Sequence, residues 1–375
     1  MITQSVHIMT IRGIRVGVHY SWLIIFFLVT FSLTGQFALQ HPDWRPSERV
    51  ILAVATSLLF FGCILLHELA HSLVAQAKRI PVRSITLFVF GGVAQIGREP
   101  DRPLTEFQIA IAGPIASVIL GLGFGVMADL ADAYALHLAA LAGWLTSINL
   151  FIALFNLVPG FPLDGGRIFR AVMWAITGSF ARATQIASRS GQTVGFAMII
   201  GGAAIAFTGY WVNGLWIAFI GWFLLDAAQH SSLQVTMRSA LSGLVAQDIM
   251  TRDCPAVSGR LSLAELVEDH ILKTGQRCFV IADEGRLDGL ITLHQIKTVP
   301  RDRWPHTALS NVMTPLARLH VVAPDTPILK VLEVMEAGDV NQVPVVSDHR
   351  LVGMISRDHV LGVLYARMEL GRQSA

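Results

Sequence analysis

The chain carries, at residues 58–79, the stretch LLFFGCILLHELAHSLVAQAKR. No charged residue precedes His67 in this stretch, yet Glu68 and His71 follow it within about one helical turn. An ionisable side chain at the centre of a membrane helix costs about 2.5–3.5 kcal/mol on insertion scales. Groups placed at that cost at the end of an apolar helix are therefore expected to have a function.

Apolar segments of membrane-crossing length recur before Asp226, and the rest of the chain has the composition of a soluble domain. Overall, 53% of the 375 residues are hydrophobic and 14% are charged, against about 25% charged in soluble domains. About 20 apolar residues cross the hydrocarbon as a helix. The sequence therefore predicts six spans, at residues 20–39, 50–76, 106–129 and 132–164, and two within 190–225 on either side of a break at TGYWVNG (208–214).

The distribution of positive charge predicts the orientation of these spans. With the N-terminus inside, only Arg45 and Arg49 fall in the predicted outer loops, and the other Lys and Arg residues of the membrane part fall inside. The positive-inside rule then places both termini in the cytoplasm of a multi-pass protein in contact with membrane lipid. A net charge of +2 without a basic cluster does not favour a nucleic-acid partner.

The spacing of the motif at the end of the second span indicates metal chemistry. His67 and His71 lie four residues apart and project from one helix face. In H-E-x-x-H, the two imidazoles bind Zn²⁺ and the intervening Glu68 acts as general base. A chance match is the alternative, although His and Glu are rare inside a hydrophobic span.

A catalytic zinc site takes a third protein ligand, and Asp164 in NLFIALFNLVPGFPLDGGRI (149–168) is the candidate. Pro159 and Pro162 must end the apolar helix before it. Asp164 then lies just ahead of Arg167, at about the depth of the histidine pair. The alternative role for Asp164 is to cap the next helix.

Four motifs in order resemble the site-2 protease family of intramembrane zinc metalloproteases, which are M50-like peptidases. They are HELAH, FGGVAQI, AGPIAS and NLVPGFPLDGG, and the resemblance covers residues 1–230. It implies one Zn²⁺ per chain, with His67, His71 and Asp164 as ligands and Glu68 as general base.

The same resemblance assigns Asn156, in the N-x-x-P-x-x-P-x-D-G signature, to holding substrate or the oxyanion. An interhelical hydrogen bond is an equally good interpretation.

Gly113-Pro114 is expected to allow close helix packing or a kink.

The resemblance further implies cleavage of a peptide bond within the transmembrane helix of a substrate protein. An intact helix hides its carbonyls in hydrogen bonds, so the substrate must unwind locally. The segment SITLFVFGGVAQIG (84–97) alternates and is rich in β-branched and aromatic residues. It is expected either to pair with the unwound substrate by β-addition or to form a purely structural hairpin.

The C-terminal part repeats itself after a predicted linker at 231–243. AQDIMTRDCPAVSG is echoed by LSNVMTPLARLHVV, and CFVIADEGRLDGLITLHQI by VPVVSDHRLVGMISRDHV. The copies, at 244–300 and 307–367, resemble two cystathionine-β-synthase-type (CBS) domains, which pack as a pair and often bind adenine nucleotides.

The CBS copies depart from the nucleotide-binding pattern G-x-x-[ST]-x-x-D at its last position. Gly289 and Thr292 lead to Gln295 in the first copy, and Gly353 and Ser356 lead to His359 in the second. The aspartate that would hold the ribose is absent in register from both. An adenine-nucleotide site is therefore one hypothesis, and a homodimerisation or docking module is the other.

A transporter or channel regulated by a CBS pair is the competing function class. It would account for six spans and a cytoplasmic tail, but a transport pathway usually spreads polar residues over several helices near the midplane. It does not explain the zinc spacing of His67 and His71 or the return of Asp164 at matching depth. The predicted fold is a multi-spanning α-helical membrane domain followed by an α/β soluble CBS-pair domain.

Overall fold

The structure is a computed structural model that describes residues 5–89, 91–132, 134–252, 256–276, 278–283, 286–347 and 350–372. The chain divides into two compact units, Met1–Leu233 and Gln234–Ala375.

The first unit contains, among the described residues, six helices long and apolar enough to cross a membrane, as predicted. Together with one shorter helix they are α1 (Trp22–Gln40), α2 (Pro46–Ala77), α3 (Pro103–Ala131), α4 (Leu136–Asn156), α5 (Asp164–Thr177), α6 (Phe180–Phe207) and α7 (Trp211–Leu241). Large apolar side chains such as Phe31, Leu39 and Phe207 are 83%, 86% and 93% exposed. A surface of this kind is stable against lipid and not against water, so the unit is a multi-pass membrane domain.

The fourth span is shorter than predicted. The sequence predicts a span over 132–164, but α4 ends at Asn156. Proline lacks a backbone N–H and disfavours the helical conformation at the residue before it, which explains why the helix stops ahead of Pro159. The predicted break at 208–214 is confirmed, since α6 ends at Phe207 and α7 begins at Trp211.

A four-stranded sheet flanks the helices of the first unit. Its strands, in spatial order, are β1 (Ser5–Ile11), β2 (Ile14–His19), β3 (Val82–Phe88) and β4 (Gly91–Ile96). β2 and β3 pair in parallel, and the other pairs are antiparallel. Ile14 and Ile85 are fully buried and pack with Ile109 of α3. Among the described strands β4 is an edge strand, with pairing on one side only.

The second unit contains two smaller sheets and the helices around them. The strands are β5 (Ala256–Val257), β6 (Cys278–Asp283), β7 (Arg286–Thr292) and β8 (Thr314–Pro315) in one sheet, and β9 (Gln342–Ser347) and β10 (Arg350–Ser356) in the other. The α-helical segments are α8 (Ala246–Ile249), α9 (Leu263–Glu265), α10 (Leu272–Thr274), α11 (Leu293–Lys297), α12 (Ile328–Ala337) and α13 (Arg357–Arg372). α9 and α10 are joined by a π-helical stretch, Leu266–Ile271. Much of the predicted linker, 231–243, is helical, because α7 extends to Leu241.

The two sequence repeats interleave in three dimensions. The core with β9 and β10 contains Ile249, from the first repeat. The core with β6 and β7 instead contains Leu309, from the second repeat. The backbone bonds agree, since Thr251 and Met354 exchange two N–H···O bonds of 2.9 Å, and β8 pairs with β7. Each repeat thus gives its opening segment to the other repeat's core.

This exchange predicts that Ile249→Ala destabilises the core of the second repeat. Ile249 is 6% exposed, and truncation of a buried isoleucine to alanine costs about 2–5 kcal/mol. Hydrogen exchange should therefore accelerate in β9 and β10 while β6 and β7 stay protected. Leu263→Ala, in the core of β6 and β7, is the matched control with the opposite expected pattern. Faster exchange confined to β6 and β7 in the Ile249 variant would contradict the interleaved arrangement.

Candidate metal centre

Three side chains converge where α2 and α5 meet. His67 and His71 of α2 are 5% and 4% exposed. Their Nε2 atoms lie 3.2 Å apart, and each lies 3.1 Å from Oδ2 of Asp164. All three ligand atoms lie within 4.8 Å of one another.

These distances fit a zinc ion with three protein ligands. Tetrahedral Zn²⁺ with bonds of about 2.0–2.1 Å requires its ligand atoms to stand about 3.3 Å apart. The observed separations lie within about 0.2 Å of that spacing. Two imidazoles and one carboxylate also form a ligand set that catalytic zinc sites use, with a fourth position left open.

Helix α3 orients both imidazole rings through their Nδ1 atoms. Nδ1 of His71 lies 2.6 Å from the carbonyl oxygen of Ile109. Since a carbonyl only accepts, Nδ1 carries the proton and the Nε2 lone pair faces the cluster. Nδ1 of His67 lies 2.8 Å from Oγ of Ser117, so the same helix also holds the second ring.

Gly113 of α3 lies directly against the paired histidines. A Cβ at this position would stand within 3 Å of Nε2 of both His67 and His71. The sequence predicts close packing or a kink at Gly113-Pro114, and in the structure the close neighbours of Gly113 are the imidazole rings of His67 and His71. Any larger side chain at Gly113 would displace the imidazoles.

Asp164 is the first residue of α5, which begins after the loop that follows α4. The N-cap position of α5 is occupied by Leu163, and the hydrogen bonds found for the Asp164 carboxylate within the described residues join it to His67 and His71. Gly166 lies against the backbone of Gly160 and Phe161, where a Cβ would collide. This close contact lets α5 fold back on its own loop and present Asp164 to the histidines.

Glu68 occupies the space between α2 and the edge strand β4. It is half-buried, and a Cβ on Gly92 of β4 would collide with its Cγ. No hydrogen bond to the Glu68 carboxylate is found within the described ranges. The carboxylate is therefore placed beside both the histidine pair and β4, and it is available to a reacting group.

Asn156 is the last residue of α4 and is half-buried. Its side chain has no hydrogen-bond partner among the residues that the structure describes, and it is not a member of the three-residue cluster. The interhelical hydrogen bond considered for it is thus not observed there.

Sequence reasoning missed two groups at this site, Ser117 and the carbonyl of Ile109. Ser117 lies four residues after Gly113, on the same face of an apolar helix, and this polar position was a usable signal. The Ile109 carbonyl has no signature in the sequence, because every residue carries one.

Gly113→Ala is expected to weaken zinc binding at least about tenfold, as loss of a group that positions ligands commonly does. Chelator competition with the purified full-length chain in detergent measures the affinity. Gly123→Ala on the same helix is the matched control, because nothing lies within 4 Å of a Cβ there. Equal zinc affinity in the two variants would contradict the proposed contact.

Comparison with known proteins agrees with this geometry. Residues 55–131 and 123–202 match the profile of peptidase family M50, and residues 245–301 and 309–366 each match the CBS domain. Two relatives are named "Putative zinc metalloprotease". The one from Synechocystis sp. is 33% identical over 364 residues, or 96% of each chain. The one from Mycobacterium tuberculosis is 32% identical over 354 residues, or 93% of this chain and 90% of the relative.

Among solved structures, the site-2 protease from Methanocaldococcus jannaschii is similar at 27% sequence identity and a TM-score of 0.41. That similarity covers 61% of this chain and 95% of the other. The agreement with the Synechocystis protein along nearly the full length of both chains sets the transporter alternative aside. This chain therefore belongs to peptidase family M50 and is a multi-pass membrane zinc metalloprotease with two C-terminal CBS domains.

Proposed function

We propose that this metalloprotease cleaves transmembrane segments of membrane proteins, in the manner of regulated intramembrane proteolysis. One Zn²⁺ per chain is held by His67, His71 and Asp164, and Glu68 is the general base. The observation that carries the proposal is the convergence of the three ligand atoms within 4.8 Å, with both histidines on a helix of membrane-crossing length. A peptide bond that reaches this site must come from a chain within the membrane.

Each residue of the site has a distinct role in the proposed reaction. When bound, Zn²⁺ supplies Lewis-acid activation of the scissile carbonyl and the attacking water. Glu68 takes a proton from that water and passes it to the leaving nitrogen, which is the ordinary work of a positioned carboxylate. Asn156, whose side chain is half-buried, holds the substrate backbone or the developing oxyanion.

The substrate adds to the sheet as a strand beside β4. β4 is an edge strand among the described strands, so its outer backbone groups are positioned to pair with an extended segment. Gly92 of β4 lies against Glu68, which would bring a strand added there close to the general base. The same pairing would give hydrogen-bond partners to the backbone N–H and C=O groups of an unwound transmembrane helix.

Both termini face the cytoplasm in this proposal. The support is the concentration of Lys and Arg in the segments on that side and the presence of only Arg45 and Arg49 in the opposite loops. His67 lies near the end of α2 that leads to the cytoplasm, and this placement shortens the path of water to the site.

The CBS pair serves as a dimerisation or docking module that regulates the protease. In the first copy, Oε1 of Gln295 accepts bonds from N and Oγ1 of Thr292, at 2.6 and 2.9 Å. In the second copy, Oγ of Ser356 accepts a bond of 3.2 Å from N of His359. The groups in the register of a nucleotide site are thus engaged in helix capping. An adenine nucleotide at the CBS pair is the alternative that a binding measurement decides.

Glu68→Gln is expected to retain its zinc and lose at least about a hundredfold in cleavage rate, because general base catalysis contributes about 10²–10⁴. The measurement is cleavage of a tagged transmembrane substrate in detergent, with zinc assayed in parallel. His67→Ala is the matched variant, and it should lose both zinc and activity. Cleavage by Glu68→Gln at the wild-type rate would refute the general-base role, and a wild-type protein without zinc would refute the ligand set.

The docking role predicts no calorimetric heat when ATP, ADP or AMP is titrated to millimolar concentration into a fragment of residues 240–370. The fragment should instead form dimers in sedimentation experiments. Gln295→Asp restores the aspartate of the nucleotide-binding pattern and is the matched comparison for ligand affinity. Binding of any of the three nucleotides to the unaltered fragment with micromolar affinity would favour the ligand-sensor alternative.

A further inference from the structure

A buried ion pair joins α5 to α3 away from the metal cluster. Nε of Arg170 donates to Oε1 of Glu106 at 2.7 Å, and Nη2 of the same guanidinium donates to the same oxygen. The Glu106 side chain is fully buried, and the Arg170 side chain is 8% exposed. A second carboxylate, Glu99, stands 4.0 Å from Nη1.

Glu106 belongs to the helix that orients both histidines. One turn further along α3 is Ile109, whose carbonyl holds His71. Seven residues after Glu106 is Gly113, on the same face and about 10 Å away along the axis. The ion pair and the histidine contacts therefore lie on one rigid element.

Arg170 belongs to the helix that begins with the third ligand. Asp164 and Arg170 are six residues apart, about 9 Å along α5 and about 120° apart around it. Asp164 lies at the histidines beside Gly113, and Arg170 lies at Glu106, so α5 runs antiparallel to α3 here. The two contact points have nearly the same spacing on both helices, which fixes the rotation and the depth of α5.

Two aromatic rings hold the guanidinium in place. The Arg170 Cζ atom lies 4.9 Å from the ring centroid of Phe161 and 4.6 Å from that of Phe180. Phe161 precedes Asp164 by three residues, and Phe180 begins α6. Arg170 is thus linked to the loop before the ligand and to the helix after α5, as cation–π contacts allow.

We propose that Arg170 and Glu106 are positioning residues that set Asp164 at the distance from His67 and His71 that metal binding requires. The proposal rests on the ligand set proposed above. Burial of an ion pair gives little net stability compared with apolar side chains of similar size, but its directional bonds specify one arrangement. The pair therefore determines the geometry of the metal site and not the folding of the domain.

The test compares variants of the full-length chain in detergent by chelator competition for zinc and by visible absorption after Co²⁺ substitution. Glu106→Leu/Arg170→Met removes both charges together, so no buried charge is left unpaired. Arg170→Lys keeps the positive charge but loses the paired Nε and Nη2 donors of the guanidinium. Asp164→Ala reports on the ligand set itself. Asp101→Asn removes the exposed pair between Asp101 and Arg98, 3.6 Å apart, and is the control.

The double variant is expected to melt close to wild type but bind zinc roughly 10–100-fold more weakly, as disrupted outer contacts of a metal site do. Its Co²⁺ spectrum should lose tetrahedral intensity. Arg170→Lys should show a smaller, severalfold loss of affinity, and Asp101→Asn should match wild type.

Wild-type zinc affinity and Co²⁺ spectrum in a folded double variant, with both lost in Asp164→Ala, would overturn the positioning role while the ligand set stands. Wild-type affinity in Asp164→Ala would instead overturn the ligand set. If the double variant does not fold, Arg170→Lys decides, because unchanged zinc affinity there also overturns the proposal.

Discussion

The close contact between α3 and the histidine pair is the constraint on which the membrane domain depends. Gly113 leaves room for two imidazoles, and their Nδ1 atoms lie at hydrogen-bonding distance from the Ser117 hydroxyl and the Ile109 carbonyl oxygen. A membrane interior offers no water to satisfy these polar atoms, so each ring nitrogen must find a protein or metal partner. Helix α3, which has no room for a side chain at Gly113, thus also provides hydrogen-bond partners for both imidazole rings.

Asp164, the proposed third ligand, comes from a part of the chain that has to return to the bundle. α4 stops at Asn156, the loop turns, and α5 returns so that Asp164 opens it. Two contacts hold α5 in this position. Gly166 packs closely on the loop before α5, and Arg170 donates a buried hydrogen bond to Glu106. Both act on the short helix α5, whose first residue is Asp164.

The second unit also depends on contacts between distant parts of the chain. Its two repeats exchange opening segments, so neither CBS copy has a complete core without the other. A change in the opening segment of either repeat therefore reaches the core of the other. In the proposed function, the engagement of Thr292 and Gln295 in a local cap favours a dimerisation or docking role over nucleotide binding, since the cap occupies groups in the register of a nucleotide site.

The sequence by itself determined the number of spans and the residues of the metal cluster as candidates, and it indicated a β-rich segment at 84–97 without deciding between a hairpin and a segment that pairs with substrate. These follow from local rules: hydrophobic length, alternation, and the four-residue spacing of His67 and His71, each of which operates within a single element. Only the tertiary structure decided that Asp164 meets the histidines across 93 residues of chain. It alone also decided that the CBS repeats interleave. Contacts between distant elements depend on how helices pack, and a carbonyl such as that of Ile109 leaves no trace in the sequence although it fixes a ligand.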